Sequence, residues 1–153
     1  MLTCAVVRVE DESAAACLVL GDPEADHLRV EAGPAEEGPE PGDPWVPLRV
    51  VVAAGVFRAA AAASVLASEL RRFRDGLAAL PGDPRGRAAL ETEDGWLAVR
   101  LFGDGFGHLD ARCELRDPDA VLHRLEFTIG LNAQDAVPAL AALDALLAEA
   151  GLG

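Results

Sequence analysis

The amino-acid sequence predicts an α+β fold, in which a largely antiparallel β-sheet is arranged as a meander with two amphipathic helices packed on one face. Most of the chain consists of short segments in which apolar residues recur at every second position, as in half-buried strands. Two longer segments instead repeat their apolar residues every three or four positions, as in helices. The length of 153 residues suits one domain. We therefore expect a single domain, 1–153, with an acidic N-terminal part (1–45) and a sheet–helix core (46–150).

The first 32 residues contain three short runs that are rich in valine, leucine and alanine. Acidic or turn-forming stretches separate the runs, so we expect three strands at Thr3–Val9, Ala14–Leu20 and His27–Ala32. The segment Gly33–Pro44 (GPAEEGPEPGDP) follows. Its proline and glycine residues disfavour regular structure and its charges resist burial, which predicts a mobile surface loop.

The next segments change from strand to helix. Pro47–Val52 is a short apolar run typical of a buried strand. Val56–Ala63 is ambiguous, because its polyalanine run favours a helix whereas the turn at Ala54-Gly55 favours a hairpin. We favour the hairpin.

The first helix is predicted to start at Ser64, which can cap its N-terminus, and to end at Pro81-Gly82. Its far side carries Arg71, Arg72 and Asp75. Apolar residues at spacings of four and three form the stripe that faces the core. These residues are Leu66, Leu70, Phe73, Leu77 and Leu80.

Four segments in which apolar and polar residues alternate then predict the strands of an antiparallel meander with one solvent-exposed face. They are Ala88–Glu93, Trp96–Phe102, His108–Arg116 and Leu122–Leu131.

The closing helix has Asp135 as a predicted N-cap and ends at Gly151. Pro138 is tolerated in its first turn, where the missing N–H has no intrahelical partner. The helix has an apolar stripe of Leu140, Leu143 and Leu147. We expect both helical stripes to be buried against one face of a single sheet. The residues chosen to test this are Leu70, Phe73, Leu140 and Leu143.

The charge of the chain restricts the classes of partner. The formal net charge is −13, and residues 1–45 carry eleven acidic side chains against two arginines, a net charge of −9. Such a surface repels phosphate backbones and anionic lipids, so we expect neither nucleic-acid nor membrane binding. It suits a basic protein partner, although acidity also serves solubility alone. The sequence does not specify the oligomeric state.

The three cysteines, Cys4, Cys17 and Cys113, are isolated among apolar residues and predict small buried side chains in a reducing compartment. The N-terminus lacks the basic and long apolar regions of a secretory signal. We therefore expect a cytoplasmic protein.

No catalytic or metal-binding motif is recognisable. His27, His108 and His123 lie on separate predicted strands, without ligand spacing or a neighbouring nucleophile. The glycine-rich segment Gly103–Gly107 connects two strands rather than opening a helix, which predicts a hairpin turn instead of a phosphate site. We expect no enzymatic activity, no metal and no cofactor.

The remaining candidate is the solvent side of the meander, where charges of both signs are held on rigid strands. We select Asp110, Arg112, Glu114 and Glu126 as candidate partner-binding residues. A solvated surface with cross-strand ion pairs is the alternative. Trp45 and Trp96 can act as interface anchors or as core residues. The full set of charged residues on this side is Arg100, His108, Asp110, Arg112, Glu114, Arg124 and Glu126.

Three segments together resemble a known family. They are the helix SELRRFRDGLAAL, the hairpin LAVRLFGDGFGHLDARCEL and the strand with its helix RLEFTIGLNAQDAVPALAALDALL. Their order over residues 46–150 is similar to that of the WapI-type bacterial immunity proteins and related bacterial domains of unknown function. The resemblance implies a small cytosolic protein that binds and neutralises a toxin domain, often a nuclease, and that has no catalytic residues.

Three functions are compatible with these observations. The first is toxin neutralisation by a non-enzymatic binding protein. The second is an accessory or scaffold role in another bacterial system, and the third is a small-molecule-binding or enzymatic domain.

Overall fold

The computed structural model describes residues 16–120 and 122–152. Within these ranges it contains nine strands in two antiparallel sheets and two α-helices, which confirms the α+β prediction. The predicted strand Thr3–Val9 lies outside the described residues. The first sheet contains β1 (Cys17–Gly21), β2 (His27–Ala32), β3 (Glu36–Glu40), β4 (Asp43–Ala54) and β5 (Phe57–Leu66). The second contains β6 (Arg87–Glu91), β7 (Leu97–Gly103), β8 (His108–Arg116) and β9 (Arg124–Asn132), and the helices are α1 (Ala67–Ala79) and α2 (Ala136–Glu149).

The strands form two sheets, whereas a single sheet was expected. The first sheet has the order β1-β2-β4, with β3 and β5 also paired to the long strand β4. The second is the predicted meander in the order β6-β7-β8-β9. Helix α1 separates them, because it starts where β5 ends and leads the chain to β6. The next four strands therefore pair with one another instead of extending β5.

Strand β3 lies in the segment that was expected to be a mobile loop. Its backbone pairs with β4, where Glu36 lies opposite Trp45 and Glu40 lies opposite Asp43, with an irregular register between them. The loop prediction was wrong because its charges do not have to be buried for a strand to form. At the edge of a sheet, backbone groups pair on one side while the glutamate side chains stay in solvent. Such an edge also tolerates Pro39.

The favoured hairpin prediction is confirmed, since the whole of β5 pairs with residues 45–54 of β4. Ala54 lies opposite Phe57, so Gly55 and Val56 form a two-residue turn. Gly55 has φ +60°, a conformation that glycine adopts readily at the first position of a type II′ turn. Its N–H donates to an Asp26 Oδ1 2.9 Å away, which ties the turn to β2.

Helix α1 starts three residues later than predicted, because Ser64 still belongs to β5. The buried Glu69 accepts a hydrogen bond from the N–H of Leu66 (2.8 Å). Asp43 of β4 accepts hydrogen bonds from the N–H (2.7 Å) and the hydroxyl (2.8 Å) of Ser68. These two carboxylates satisfy N–H groups that have no intrahelical partner. Burial is the main cause that raises the pKa of Glu69 above its ordinary value.

The end of α1 and both ends of α2 lie where they were predicted. A short 3₁₀ turn through Pro81 and Gly82 follows α1. Asp135 directly precedes α2, although its carboxylate accepts a hydrogen bond from the N–H of Asn132 (2.9 Å) rather than from the helix. At the other end Gly151 has φ +89°, and the N–H groups of Gly151 and Leu152 donate to carbonyls of the last turn. This is a Schellman motif.

The helices cover both sheets. Helix α1 packs against β6 and α2, while α2 packs against β1 and α1. Leu70, Phe73 and Leu143 are buried as predicted, and Leu140 is half-buried. Their stripes find apolar partners in two sheets and in the opposite helix, so the core lies between these layers.

Cys113 on β8 is expected to be inert to thiol reagents in the native protein. Its side chain is buried, and burial raises the pKa of the thiol to about 12. At pH 8 almost none of this thiol is therefore ionised to the thiolate, which is the form that reacts. Alkylation at pH 8 followed by peptide mass mapping should leave Cys113 unmodified in buffer and modified in 8 M urea. Equal labelling under both conditions would contradict this placement.

Candidate functional site

The charged face is the solvent side of the second sheet, formed by strands β6 to β9. On β8 the residues alternate as predicted, with Leu109, Ala111, Cys113 and Leu115 buried and the charged residues on the other side. Across neighbouring strands, like charges lie directly opposite each other, which is unfavourable by itself. The pairs are Arg100 with Arg112, Glu114 with Glu126, and Arg116 with Arg124.

Ion pairs within and between the strands compensate for these like-charge contacts. Arg124 reaches Glu114 (3.4 Å) and Glu126 (3.0 Å), and Arg116 also reaches Glu114 (3.3 Å). Arg100 pairs with Glu91 on β6. Glu114 is half-buried between two arginines, so its charge is largely neutralised within the sheet.

Arg112 is engaged differently. Its guanidinium lies over the ring of Phe102, 4.7 Å from the centroid, and Arg87 lies 5.3 Å from the same centroid. Cation–π attraction holds both arginines against the half-buried ring. Arg112 is thus a fixed part of the sheet surface.

Asp110 has an exposed side chain that makes no hydrogen bond or ion pair with the described residues. It lies on the rim of an open groove of about 640 Å³, which we call the acidic groove. The groove lies between the β1–β2 turn and the meander. It is lined by Gly21, Asp22, Asp104, His108, Leu109, Asp110, Gly130, Leu131, Asn132 and Asp135, and this lining contains four aspartates but no arginine.

Local hydrogen bonds fix the other three aspartates of the groove. Asp104 accepts hydrogen bonds from the N–H groups of Phe106 (2.6 Å) and His108 (3.2 Å) within the predicted Gly103–Gly107 hairpin turn. The bond from Phe106 is the main cause that lowers the pKa of Asp104, so this carboxylate is ionised at neutral pH. Asp22 accepts from the N–H of Glu24, and Asp135 accepts from Asn132.

The histidines do not form a common site. His108 lies 3.3 Å from Asp104, His123 lies 3.6 Å from Asp117, and His27 bonds the carbonyl of Ala25. Within residues 16–120 and 122–152, no group of three or more histidine, cysteine, aspartate or glutamate residues is placed to hold a metal ion.

The two tryptophans differ in accessibility. Trp96 is buried, and its indole N–H donates to the carbonyl of Ser64 (3.1 Å), which links the second sheet to β5. It is therefore a core residue and not an interface anchor. Trp45 is half-buried on β4.

Among the described helices, neither is both long and apolar enough to cross a membrane. A comparison with curated proteins finds no match. A comparison with solved structures matches the chain to the structure of the plant transcriptional regulator PBF-2, with 13% identity and a TM-score of 0.43 over 88% of this chain and 82% of that chain. This likeness is too low to support a functional argument.

The family of this chain is shown by a comparison with protein-family models. Residues 20–151 match the model of the immunity protein WapI-like family. The match contains the segments that carry the resemblance, and it extends to β2, β3 and the whole of β4, which lie before or across residue 46. The chain therefore belongs to the WapI-like immunity protein family.

Proposed function

We propose that this chain is a bacterial immunity protein that binds a toxin domain in the cytoplasm and neutralises it without catalysing a reaction. Membership of the WapI-like immunity family is the observation that carries the proposal. The three histidines lie apart from one another, and the acidic groove is open to solvent. Both features are more compatible with protein binding than with catalysis on a substrate.

The acidic groove and the adjoining charged face are the surface that we assign to the partner. The four aspartates of the groove carry negative charge with no arginine among the lining residues. Asp110 joins the groove to the charged face, where Glu126 is also exposed. A basic patch on the toxin domain would complement this field.

The four candidate partner-binding residues have different roles in this proposal. Asp110 and Glu126 contact the toxin domain, because they are the two exposed acidic residues of the set. Arg112 and Glu114 maintain the surface, since one stacks on Phe102 and the other is paired with two arginines.

The function is tested by co-expression. A toxin domain encoded beside the gene is induced in bacterial cells, with and without this chain, and survivors are counted. We expect the chain to restore growth and to co-purify with the toxin domain in a fixed ratio. Continued killing, together with no binding between the purified proteins, would exclude the proposal.

The surface is tested by charge reversal. The double variant Asp110→Lys and Glu126→Lys should weaken binding of the toxin domain at least about tenfold, because it removes attraction and adds repulsion. Glu114 is left unchanged, since it is half-buried between Arg116 and Arg124, whereas Glu126 is exposed and gives up a single surface ion pair with Arg124.

The matched control is Glu37→Lys with Glu40→Lys on β3, which changes the net charge by the same amount at another exposed site. Its affinity should change less than about threefold. Calorimetric titration measures both variants. An equal loss in the two would show that only the overall charge matters, and a larger loss in the control would place the partner on β3.

A further inference from the structure

Strand β5 is an edge strand of the first sheet, because it pairs only with β4 among the described strands. In an antiparallel ladder the residues alternate between those bonded to the partner strand and those directed away from it. The two-residue turn makes Ala54 and Phe57 a bonded pair, so Arg58, Ala60 and Ala62 direct their backbone groups outward. The carbonyl of Ser64, next in this series, confirms the direction by accepting from Trp96.

The outward N–H and C=O groups of these three residues have no hydrogen-bond partner in the described part of the chain. Natural edge strands are normally protected by charges, prolines or bulges. Residues 57–66 have no proline, their register with β4 is regular, and Arg58 is their one charged residue. The alanine side chains are too small to cover the edge. Within residues 16–120 and 122–152, six backbone groups are thus left without a partner and can pair with another strand.

The edge borders an open groove of about 560 Å³, which we call the β5 groove. Its opposite wall is the connection between β8 and β9. Three large apolar side chains are exposed around it: Phe57 (60%) in its wall and, next to lining residues, Val56 (88%) and Leu122 (92%). The described lining residues are Phe57, Arg58, Ala59, Ala60, Ala61, Ala62, Leu115, Arg116, Asp117, Pro118, Asp119, His123, Arg124 and Leu125.

The charge of Arg58 indicates what the groove accepts. Its guanidinium donates to the carbonyls of Gly55 and Phe57, both 2.9 Å away, and forms no ion pair with a described carboxylate. On the opposite wall Asp117 is already engaged, since it contacts His123 and accepts a hydrogen bond from the N–H of Asp119. An incoming segment with an acidic side chain near Arg58 is therefore favoured.

The β5 groove and the acidic groove lie at the two ends of β9. Leu125 lines the first and Leu131 lines the second, with the exposed Glu126 between them. One partner can contact both grooves along this strand.

We propose that the β5 edge binds an extended segment of the toxin domain as an added strand of the first sheet, with apolar side chains against Phe57 and Leu122 and an acidic side chain beside Arg58. This inference rests on the proposed function for the identity of the partner. Strand addition supplies affinity through main-chain hydrogen bonds, and the alternating side chains supply selectivity.

Two variants of the chain test the edge. Ala60→Pro removes an outward N–H without removing a bond to β4, and should weaken binding of the toxin domain at least about tenfold. Its control, Ala60→Ser, keeps the N–H and should bind within about twofold of the original chain. Arg58→Glu should also weaken binding, whereas Arg72→Glu on the exposed side of α1 should not. Circular dichroism and thermal melting establish that each variant is folded.

Amide hydrogen exchange supplies a second readout that does not need a variant. The N–H groups of Arg58, Ala60 and Ala62 should exchange at least about tenfold more slowly in the complex than in the free chain. Full binding by Ala60→Pro, together with unchanged exchange in the complex, would overturn the strand addition while leaving the proposed function intact.

The remaining outcomes separate the two proposals. If the toxin domain is not neutralised, the proposed function fails, and overlapping ten-residue peptides from that domain test the edge separately. Slower exchange of the Ala60 and Ala62 N–H groups in the presence of a peptide would support the edge site. The absence of such protection with every peptide would overturn it. Protection that rises with the concentration of the free chain would identify a second copy as the occupant. Protection in the dilute free chain would identify another segment of the same chain, and both results overturn the proposal.

Discussion

Replacing Phe73 with alanine is expected to lower the free energy of unfolding by about 3 to 5 kcal/mol. The side chain is 1% exposed and lies in the middle of α1, the helix that packs against β6 and α2. The substitution removes apolar contacts within the core cluster and leaves a cavity that the close-packed surroundings fill only in part. Urea denaturation followed by circular dichroism measures the loss.

The neighbouring Arg72→Ala is the matched control, because it shortens a side chain on the exposed side of the same helix. Its effect should stay within about 0.5 kcal/mol, as is usual for surface substitutions. A loss below about 1 kcal/mol for Phe73→Ala would contradict the packing of α1 in the core.

The local elements were predictable because each depends on a short-range pattern. The strand His108–Arg116 was predicted with its observed bounds, since nine residues alternate between buried and exposed positions. The stripe of α1 was predicted for the same reason, with a helical period. Burial on one side and solvent on the other produce these periods directly.

The number of sheets could not be predicted in the same way. Alternation within a strand does not specify its neighbour, because pairing depends on contacts between distant segments.

The start of α1 is a second example. Asp43 binds Ser68 across 25 residues of sequence, while the nearby Ser64 remains in β5. The cap predicted from the local sequence, Ser64, is thus replaced by Asp43, which is distant in sequence and near only in the folded chain.

The candidate site was partly predictable. Alternation on β8 and β9 placed Asp110 and Glu126 on the solvent side. The acidic groove was missed because Asp22, Asp104 and Asp135 lie in separate turns that only the assembly of the two sheets brings near Asp110. The sequence signal that could have indicated the acidic groove is the frequent occurrence of aspartate in the turns of this acidic chain.

The association rate constant with the toxin domain is expected to fall at least about tenfold as salt is raised from about 20 to 300 mM, because long-range attraction steers the encounter. The chain carries a net charge of −13, and four aspartates line the acidic groove. Salt shortens the Debye length to about 10 Å at 0.1 M, which screens the field before the proteins meet. Dissociation should change less than about threefold, since short-range contacts govern it.

Stopped-flow or surface-binding kinetics at several salt concentrations measure both rate constants. The Asp110→Lys and Glu126→Lys variant should show a smaller salt dependence of association, because part of the attractive field is gone. The Glu37→Lys and Glu40→Lys variant has the same net charge, so it separates the local field from the total charge of the chain. A salt effect confined to dissociation would mean that the ion pairs act only after contact, and the acidic groove would then lose its role in guiding the partner.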